Sequence, residues 1–342
     1  MRTLVALIIF IIMITVIFPI VILTTWNVNI KEVPKDNIIQ NRENVIVDSE
    51  EIDIKLYDKS TDKVYQMDLE DYIKGVVAAE MPAEFETEAL KAQAVAARTY
   101  AISRLLKFKE GNPAHPKAPL CNTTHCQVWY SDDKLIELHS KDWHSKYWGK
   151  IESAVESTKG EVLLYDGKII TDPLFHSTSG GKTEDSELVF STKKPYLRSV
   201  ESPYEDRSPN LNARMKMKID DFITKIKRKY PSIDVTKETI ATKIDLIEKS
   251  DSGRINKLRI DNLVISGRDL REALNLKSTN FKITISPKEN ILIIDTKGSG
   301  HGVGMSQWGA NGMAENGSNY IEILKHYYTG VEILKVDGKM LE

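Results

Sequence analysis

The sequence is poor in the features that most readily assign a chain to a class. Of its 342 residues only two are cysteine, Cys121 and Cys126, which excludes a disulfide-framed fold. Length and a hydrophobic content of 41% are enough to bury a core without such staples. No charge of one sign accumulates: 47 basic and 49 acidic residues leave a formal charge of −2. A nucleic-acid binder would concentrate Lys and Arg on one face, so nucleic acid is not an expected partner. There is no internal repeat and no low-complexity tract. The glycine-rich run KGSGHGVGMSQWGANGMAENG, residues 297–317, lacks the Gly-Lys-Ser/Thr ending of a phosphate loop, and no long βαβ unit precedes it as a dinucleotide site requires. The strand–GxSxG–helix context of a serine hydrolase is missing too. A near-neutral chain can still handle an uncharged sugar polymer, where hydrogen bonding and shape do most of the recognition.

The strongest physical signal is at the N-terminus. Residues 4–23, LVALIIFIIMITVIFPIVIL, carry no charge and as a helix would extend roughly 30 Å, the thickness of a bilayer's hydrocarbon core. Pro19 kinks such a helix without forbidding the span. The following TTWNVNIKEVP offers no small-x-small cleavage site, so residues 1–25 read as an uncleaved anchor. Arg2 and the amino terminus nearly balance Lys31 and Lys35, and charge alone hardly orients the span. Residues 26–50 read as a polar juxtamembrane linker, leaving 51–342 as the folded body.

Within that body the alternation of EIDIKLYDKSTDKVYQMDL predicts a β-hairpin turning at residues 59–62. A helix follows, with Asp68 as N-cap, Asp71 at its third position and Tyr72, Val76 and Val77 on one face. It reaches Glu80 and is stopped by Pro82. A second helix covers roughly 86–108, and its small-residue stretch AQAVAARTYA demands a close neighbour. Residues 109–149, with prolines at 113, 116 and 119, read as loop-rich. Short strands with a turn at Asp166-Gly167 come next. Residues 205–290 read as an inserted α/β module, with an amphipathic helix at IDDFITKIKRKY and a helix capped by Ser266. Strands at FKITI and ILIID precede the glycine-rich run.

Four constellations can carry chemistry. Glu80 ends an apolar helix beside Met81; desolvation and the negative helix terminus both favour its protonated form, as a glycosidic acid requires. Spacing alone also allows a surface glutamate ending a helix. The run FHSTSGGKTEDSELVF, residues 175–190, offers either a ligand-approaching loop or a polar turn around Gly180-Gly181. In the 297–317 run, with seven glycines, His301, Ser306 and Gln307 read as a polar floor, or as a corner packing on the alanine-rich helix. His115, Cys121, His125 and Cys126 supply four zinc-type ligands, leaving zinc, a disulfide and free thiols open. His139, His144 and His326 read as ordinary surface or packing positions.

Together and in this order, VVAAEMP, EALKAQAVAARTYA, HSTSGGKTEDSE and GHGVGMSQWGANGMA closely resemble the stage II sporulation protein D family of lytic transglycosylases, from about residue 50 to 335. The resemblance implies a peptidoglycan-cleaving lyase of endospore formation, active during engulfment from the mother-cell membrane with its body outside the cytoplasm. It implies Glu80 as catalytic acid and Arg98, Tyr100, His176, Ser177, Ser179, Gly180, Gly181, Thr183, His301, Gly302 and Gln307 as groove positions. It implies glycan strands as substrate, a cell-wall amidase and an integral membrane sporulation protein as partners, and no cofactor for the chemistry. The cysteine–histidine cluster is not part of the family's general pattern, so a structural zinc is a separate expectation.

The expected fold is mixed α+β: a helical core carrying Glu80, surrounding β-strands, and the inserted module forming one wall of a cleft. In the expected reaction Glu80 protonates the oxygen between N-acetylmuramic acid and N-acetylglucosamine, then takes the proton of the muramic C6 hydroxyl as that oxygen closes onto C1. One carboxylate suffices, whereas hydrolases typically need two. The rivals are a non-catalytic glycan-binding scaffold that activates the amidase, and a zinc hydrolase using His115, Cys121 and Cys126.

Overall fold

The computed structural model describes residues 52–336. The expected anchor and linker lie outside the described residues, and among those described no helix is long and apolar enough to cross a membrane. The described residues belong to one compact unit, mixed α+β, with ten helices and several small sheets.

The chain opens with an antiparallel hairpin, β1 (Asp53–Asp58) and β2 (Lys63–Asp68), in register from Asp53 opposite Asp68 to Asp58 opposite Lys63. Asp62 closes its turn with φ 57°. Helix α1 (Leu69–Glu80) starts where expected: the Asp68 carboxylate accepts from the Glu70 and Asp71 amides, satisfying donors that the first turn leaves free. Tyr72, Val76 and Val77 are buried, and the helix ends at Met81, one residue before Pro82.

Helix α2 (Thr87–Lys107) is the centre of the main core. Its alanines at 89, 92, 94, 96, 97 and 101 are fully buried. Without long side chains there, α1 and other helices approach its backbone closely. Arg98 is one of the few long side chains in that alanine-rich stretch. It is fully buried and its guanidinium clamps both oxygens of Glu70, with Nε to Oε1 at 2.8 Å and Nη2 to Oε2 at 2.5 Å. Removing one partner of such a pair leaves an uncompensated buried charge, at about 3–5 kcal/mol.

After α2 comes β3 (Leu120–Cys121), parallel to β1. The loop expected over 109–149 holds only to about residue 131. Beyond it stand α3 (Asp132–Leu138) and α4 (Lys141–Glu156), capped by Ser131 and Ser140. The three prolines shape only the first part of the segment. Trp143, Tyr147 and Ile151 then recur at helical spacing and pack against or within the core.

Strands β4 (Glu161–Tyr165) and β5 (Lys168–Ile169) form the hairpin expected at Asp166-Gly167, where both turn residues have positive φ. Short strand β6 (Phe175–His176) and helix α5 (Ser186–Phe190) bracket the serine–glycine loop. From β7 (Asn212–Lys218) the chain builds a second hydrophobic cluster between Ile219 and Ile294. Helix α6 (Ile219–Lys229) buries Ile219, Phe222 and Ile226, a stripe of period three to four, and turns its Lys and Asp residues outward. The chain continues through α7 (Ile240–Lys243), β8 (Ile244–Lys249), β9 (Ile255–Ile260), β10 (Leu263–Ser266), α8 (Gly267–Leu274), β11 (Phe281–Ser286) and β12 (Ile291–Lys297). The two three-stranded sheets here run in the orders β10-β9-β8 and β11-β12-β7. The chain then returns to the main core with β13 (Met305–Ser306), parallel to β6, α9 (Gln307–Glu315), α10 (Tyr320–Tyr327) and β14 (Glu332–Lys335), which pairs with β4.

Candidate active site

Glu80 is the last residue of α1. Its side chain is half-buried in a cleft of about 430 Å³, whose walls include Tyr100, Arg104, His125, Gln127, Phe190 and His301. Burial raises its pKa above the ordinary carboxyl value. A single opposing contact, the Val128 amide donating to Oε1 at 2.6 Å, pulls the other way. Among the described residues lining this cleft Glu80 is the sole carboxylate.

Three contacts fix where it sits. The Val128 amide holds the carboxyl. Gln307 donates through Nε2 to the Glu80 backbone carbonyl at 2.7 Å, capping an acceptor that a helix C-terminus leaves unsatisfied. Beneath, Met81 and Phe85 are buried, and Phe85 meets Trp308 edge-on at 4.7 Å between ring centroids. Gln307 is therefore buried against the Glu80 backbone and does not line the cleft.

His301, which lines the same cleft, is half-buried. Its Nδ1 accepts from the Val303 amide at 3.1 Å, so the ring proton resides on Nε2, a donor. Burial first, and the nearby Arg271 charge second, push its pKa down to about 4. His301 is neutral at pH 7, with Nε2 as its donor nitrogen. His176 stands behind it, centroids 5.4 Å apart. It is buried, turns Nδ1 to the Val303 carbonyl at 3.2 Å, and is held neutral chiefly by burial. Tyr100 lines the cleft with the Arg104 guanidinium over its ring at 4.4 Å.

The cysteine–histidine cluster borders the same cleft through His125 and Cys126. Its ligand atoms all lie within 4.8 Å of one another. The His115 ring meets the Ala118 carbonyl through Nδ1 at 2.8 Å, which places the proton there and frees Nε2, 3.4 Å from the Cys126 sulfur. His125 Nδ1 lies 3.9 Å from the Cys121 sulfur and 3.6 Å from that of Cys126. Two sulfurs and two imidazoles with one ring already oriented by a backbone acceptor match a structural zinc donor set.

Residues 57–165 match the family model described as Stage II sporulation protein. A stage II sporulation protein D of Bacillus amyloliquefaciens is 38% identical over 292 residues, covering 84% of this chain and 80% of the relative. The chain belongs to the stage II sporulation protein D family. Its counterpart in Bacillus subtilis is 36% identical over 291 residues, with the same coverage. A Bacillus subtilis protein named amidase enhancer is 31% identical over 313 residues, covering 76% of this chain and 40% of the relative.

In this stage II sporulation protein D family member several residues expected at the groove face the interior instead. Arg98 is committed to Glu70 and has no surface in the cleft. Thr183 is buried against Val200, whose amide donates to its hydroxyl at 2.8 Å. Ser179, Gly180 and Gly181 turn their amides onto Glu205 at 2.9, 2.7 and 3.0 Å. Ser177 is half-buried and receives the Trp308 amide on its carbonyl at 3.1 Å. Gly302, with φ 84°, lies over Arg254; a Cβ there would come within 2.3 Å of the guanidinium. These residues shape the wall from behind because a loop rich in backbone donors needs an internal acceptor.

That acceptor, Glu205, was not legible in SPYEDRSP. It is buried, and it also receives the hydroxyls of Ser179, Ser202 and Ser306. Ser306 in turn caps α9 through the Gly309 amide. One carboxylate thus ties the serine–glycine loop to the helix that carries Gln307. Glu205→Ala would orphan three backbone donors at roughly 1 kcal/mol or more each. The folded state is expected to lose about 3 kcal/mol or more in denaturant titration, and an unchanged midpoint would show that the loop does not depend on it.

Proposed function

We propose that this chain is a lytic transglycosylase that cuts the bond between N-acetylmuramic acid and N-acetylglucosamine in peptide-stripped peptidoglycan strands. The observation carrying this reading is a single half-buried carboxyl group, protonated to higher pH than usual, alone in its cleft among the described residues. The Glu80 carboxylic acid gives its proton to the glycosidic oxygen as the bond to C1 breaks, releasing the N-acetylglucosamine 4-hydroxyl. The carboxylate then accepts the proton of the muramic C6 hydroxyl, whose oxygen closes onto C1. No water enters the balance. Hydrolysis would need a water positioned and activated, typically by a second carboxylate. The intramolecular route instead profits from the high effective concentration of the sugar's own hydroxyl, and His301 as an Nε2 donor suits the orienting task.

The product test follows directly. Digestion of amidase-stripped glycan is expected to yield 1,6-anhydro-muramic ends, one water lighter than hydrolysed ends by mass spectrometry. Exclusively reducible muramic ends would remove the transglycosylase assignment while leaving Glu80 as an acid.

The rest of the reading joins the family to the sequence. The chain works in endospore formation during engulfment, held in the mother-cell membrane by residues 1–25 with its body outside the cytoplasm. It acts beside an integral membrane sporulation protein and after a cell-wall amidase. His115, Cys121, His125 and Cys126 hold a structural zinc, with no part in the proton transfers. A second reading has its own support in the relative named amidase enhancer: a glycan-binding scaffold whose main output is a stimulated amidase. Cleavage of peptide-free glycan in the absence of any amidase separates the two.

A further inference from the structure

A second hollow, of about 260 Å³, opens beside the Glu80 cleft and shares Phe190 and His301 with it. Helix α8 brings two arginines to this hollow, and their surroundings differ. Arg268 is exposed and paired with Glu272 at 3.0 Å. Arg271 is half-buried; its Nε donates to the Leu276 carbonyl at 3.2 Å, while its terminal nitrogens meet no protein acceptor among the described residues.

The nearby carboxylates are already engaged. Glu272 is held by Arg268 and lies 3.8 Å from Lys229. Glu184 is buried and receives the Ser250 and Ser252 hydroxyls. Arg254 in the floor commits both terminal nitrogens, to the Lys182 and Ser179 carbonyls at 3.0 and 2.8 Å, and keeps only its buried Nε unpaired. Counting Arg254, Arg268 and Arg271 against Glu184 and Glu272 leaves this hollow one charge positive. Burial first, and Arg268 as well, work against the Arg271 cation, with Glu272 as partial compensation. A half-buried guanidinium with its fork free is matched by a carboxylate, which it can take in bidentate fashion. The field of Arg271 also reaches the shared wall, since it is the second cause of the depressed His301 pKa.

We propose that Arg271 binds the free lactyl carboxylate of the muramic acid residue presented to Glu80, and so selects strands from which peptide has been removed. The inference rests on the glycan-cleaving reading above and assigns the residue that sets its substrate preference. Muramic acid carries a lactyl ether on C3, next to the ring atoms that react. In intact wall the lactyl carboxyl is an amide to the peptide stem, neutral and bulky. Hydrolysis of that amide creates a negative charge where there was none.

The test measures binding, so that it stands apart from the type of cleavage. The full chain carrying Glu80→Gln is titrated calorimetrically with three ligands of equal length: peptide-free glycan, the same glycan with its lactyl carboxyls converted to methylamides, and an N-acetylglucosamine oligomer. The acid is expected to bind roughly 10–100-fold tighter than the methylamide, the range of a charge-assisted hydrogen-bonded pair. Adding Arg271→Gln should collapse that ratio toward one without weakening the N-acetylglucosamine oligomer, and Arg271→Lys should keep part of it. Equal binding of acid and methylamide by the parent overturns the proposal with no variant needed. A ratio that survives Arg271→Gln, or equal loss of all three ligands in that variant, overturns the assignment to Arg271 alone. Failure of the parent to bind any of the three overturns the glycan reading together with it.

Discussion

Glu80→Gln is expected to bring glycan cleavage to background, a fall of roughly 10²–10⁴-fold, the usual contribution of a positioned acid. The variant keeps the acceptor for the Val128 amide and the size of the side chain, so folding and glycan binding should persist. A variant that cleaves near the parent rate would remove Glu80 from the mechanism. The raised pKa gives a second readout. Activity that needs the protonated acid should decline as pH rises through the folded-state pKa of Glu80, which lies above the ordinary carboxyl value because burial penalises the anion. Stability follows the same sign. The contribution of a carboxyl whose folded pKa is raised is full below its unfolded pKa and is lost as pH climbs through the folded value. The E80Q side chain carries no charge at any pH. Its Tm relative to the parent should therefore increase from acidic toward neutral pH, and a flat difference would mean that Glu80 is not desolvated.

Removing metal is expected to have the largest effect on stability. Purified chain should carry close to one equivalent of zinc, and a chelator or His115→Ala should release it. Structural zinc sites supply about 10 kcal/mol or more in small domains. Each kcal/mol moves Tm by about 2–4 °C in a domain of 150–250 residues. If about half of the ~10 kcal/mol is coupled to folding, Tm should drop by roughly 10–20 °C. Activity should fall with it, because Val128, which holds the Glu80 carboxyl, is two residues beyond Cys126. Metal-free protein with a Cys121–Cys126 bond by mass spectrometry would reverse the assignment.

Local signals in the sequence carried much of the fold. Asp68 before an apolar helix, Asp166-Gly167 between two short strands and Ser266 before Arg268 each state a boundary in a few residues, because caps and turns are satisfied by near neighbours. Helices α3 and α4 went unread although Ser131 and Ser140 were in place, since the prolines before them dominated the composition of the whole segment. The site was legible in identity more than in direction. Glu80, Tyr100, His301 and the cysteine–histidine cluster stand at the cleft. Arg98, Thr183 and the Ser179–Gly181 loop lie in the right segments but turn inward, because their partners, Glu70, Val200 and Glu205, are set by tertiary packing that no local pattern records. Arg271 is a helix residue of ordinary appearance, distinguished only by what fails to pair with it.

The contact between Gln307 and the Glu80 carbonyl joins residues 227 positions apart. A ribosome makes Glu80, Val128 and the cluster between them long before it makes α9. A chain cut off ahead of Ser306 would still contain its acid, yet it would lack both the amide that caps α1 and the serine that draws Glu205 onto the loop. A site assembled in this way stays incomplete in chains that stop short of α9. Helix α9 follows, in order of synthesis, every residue that lines the cleft.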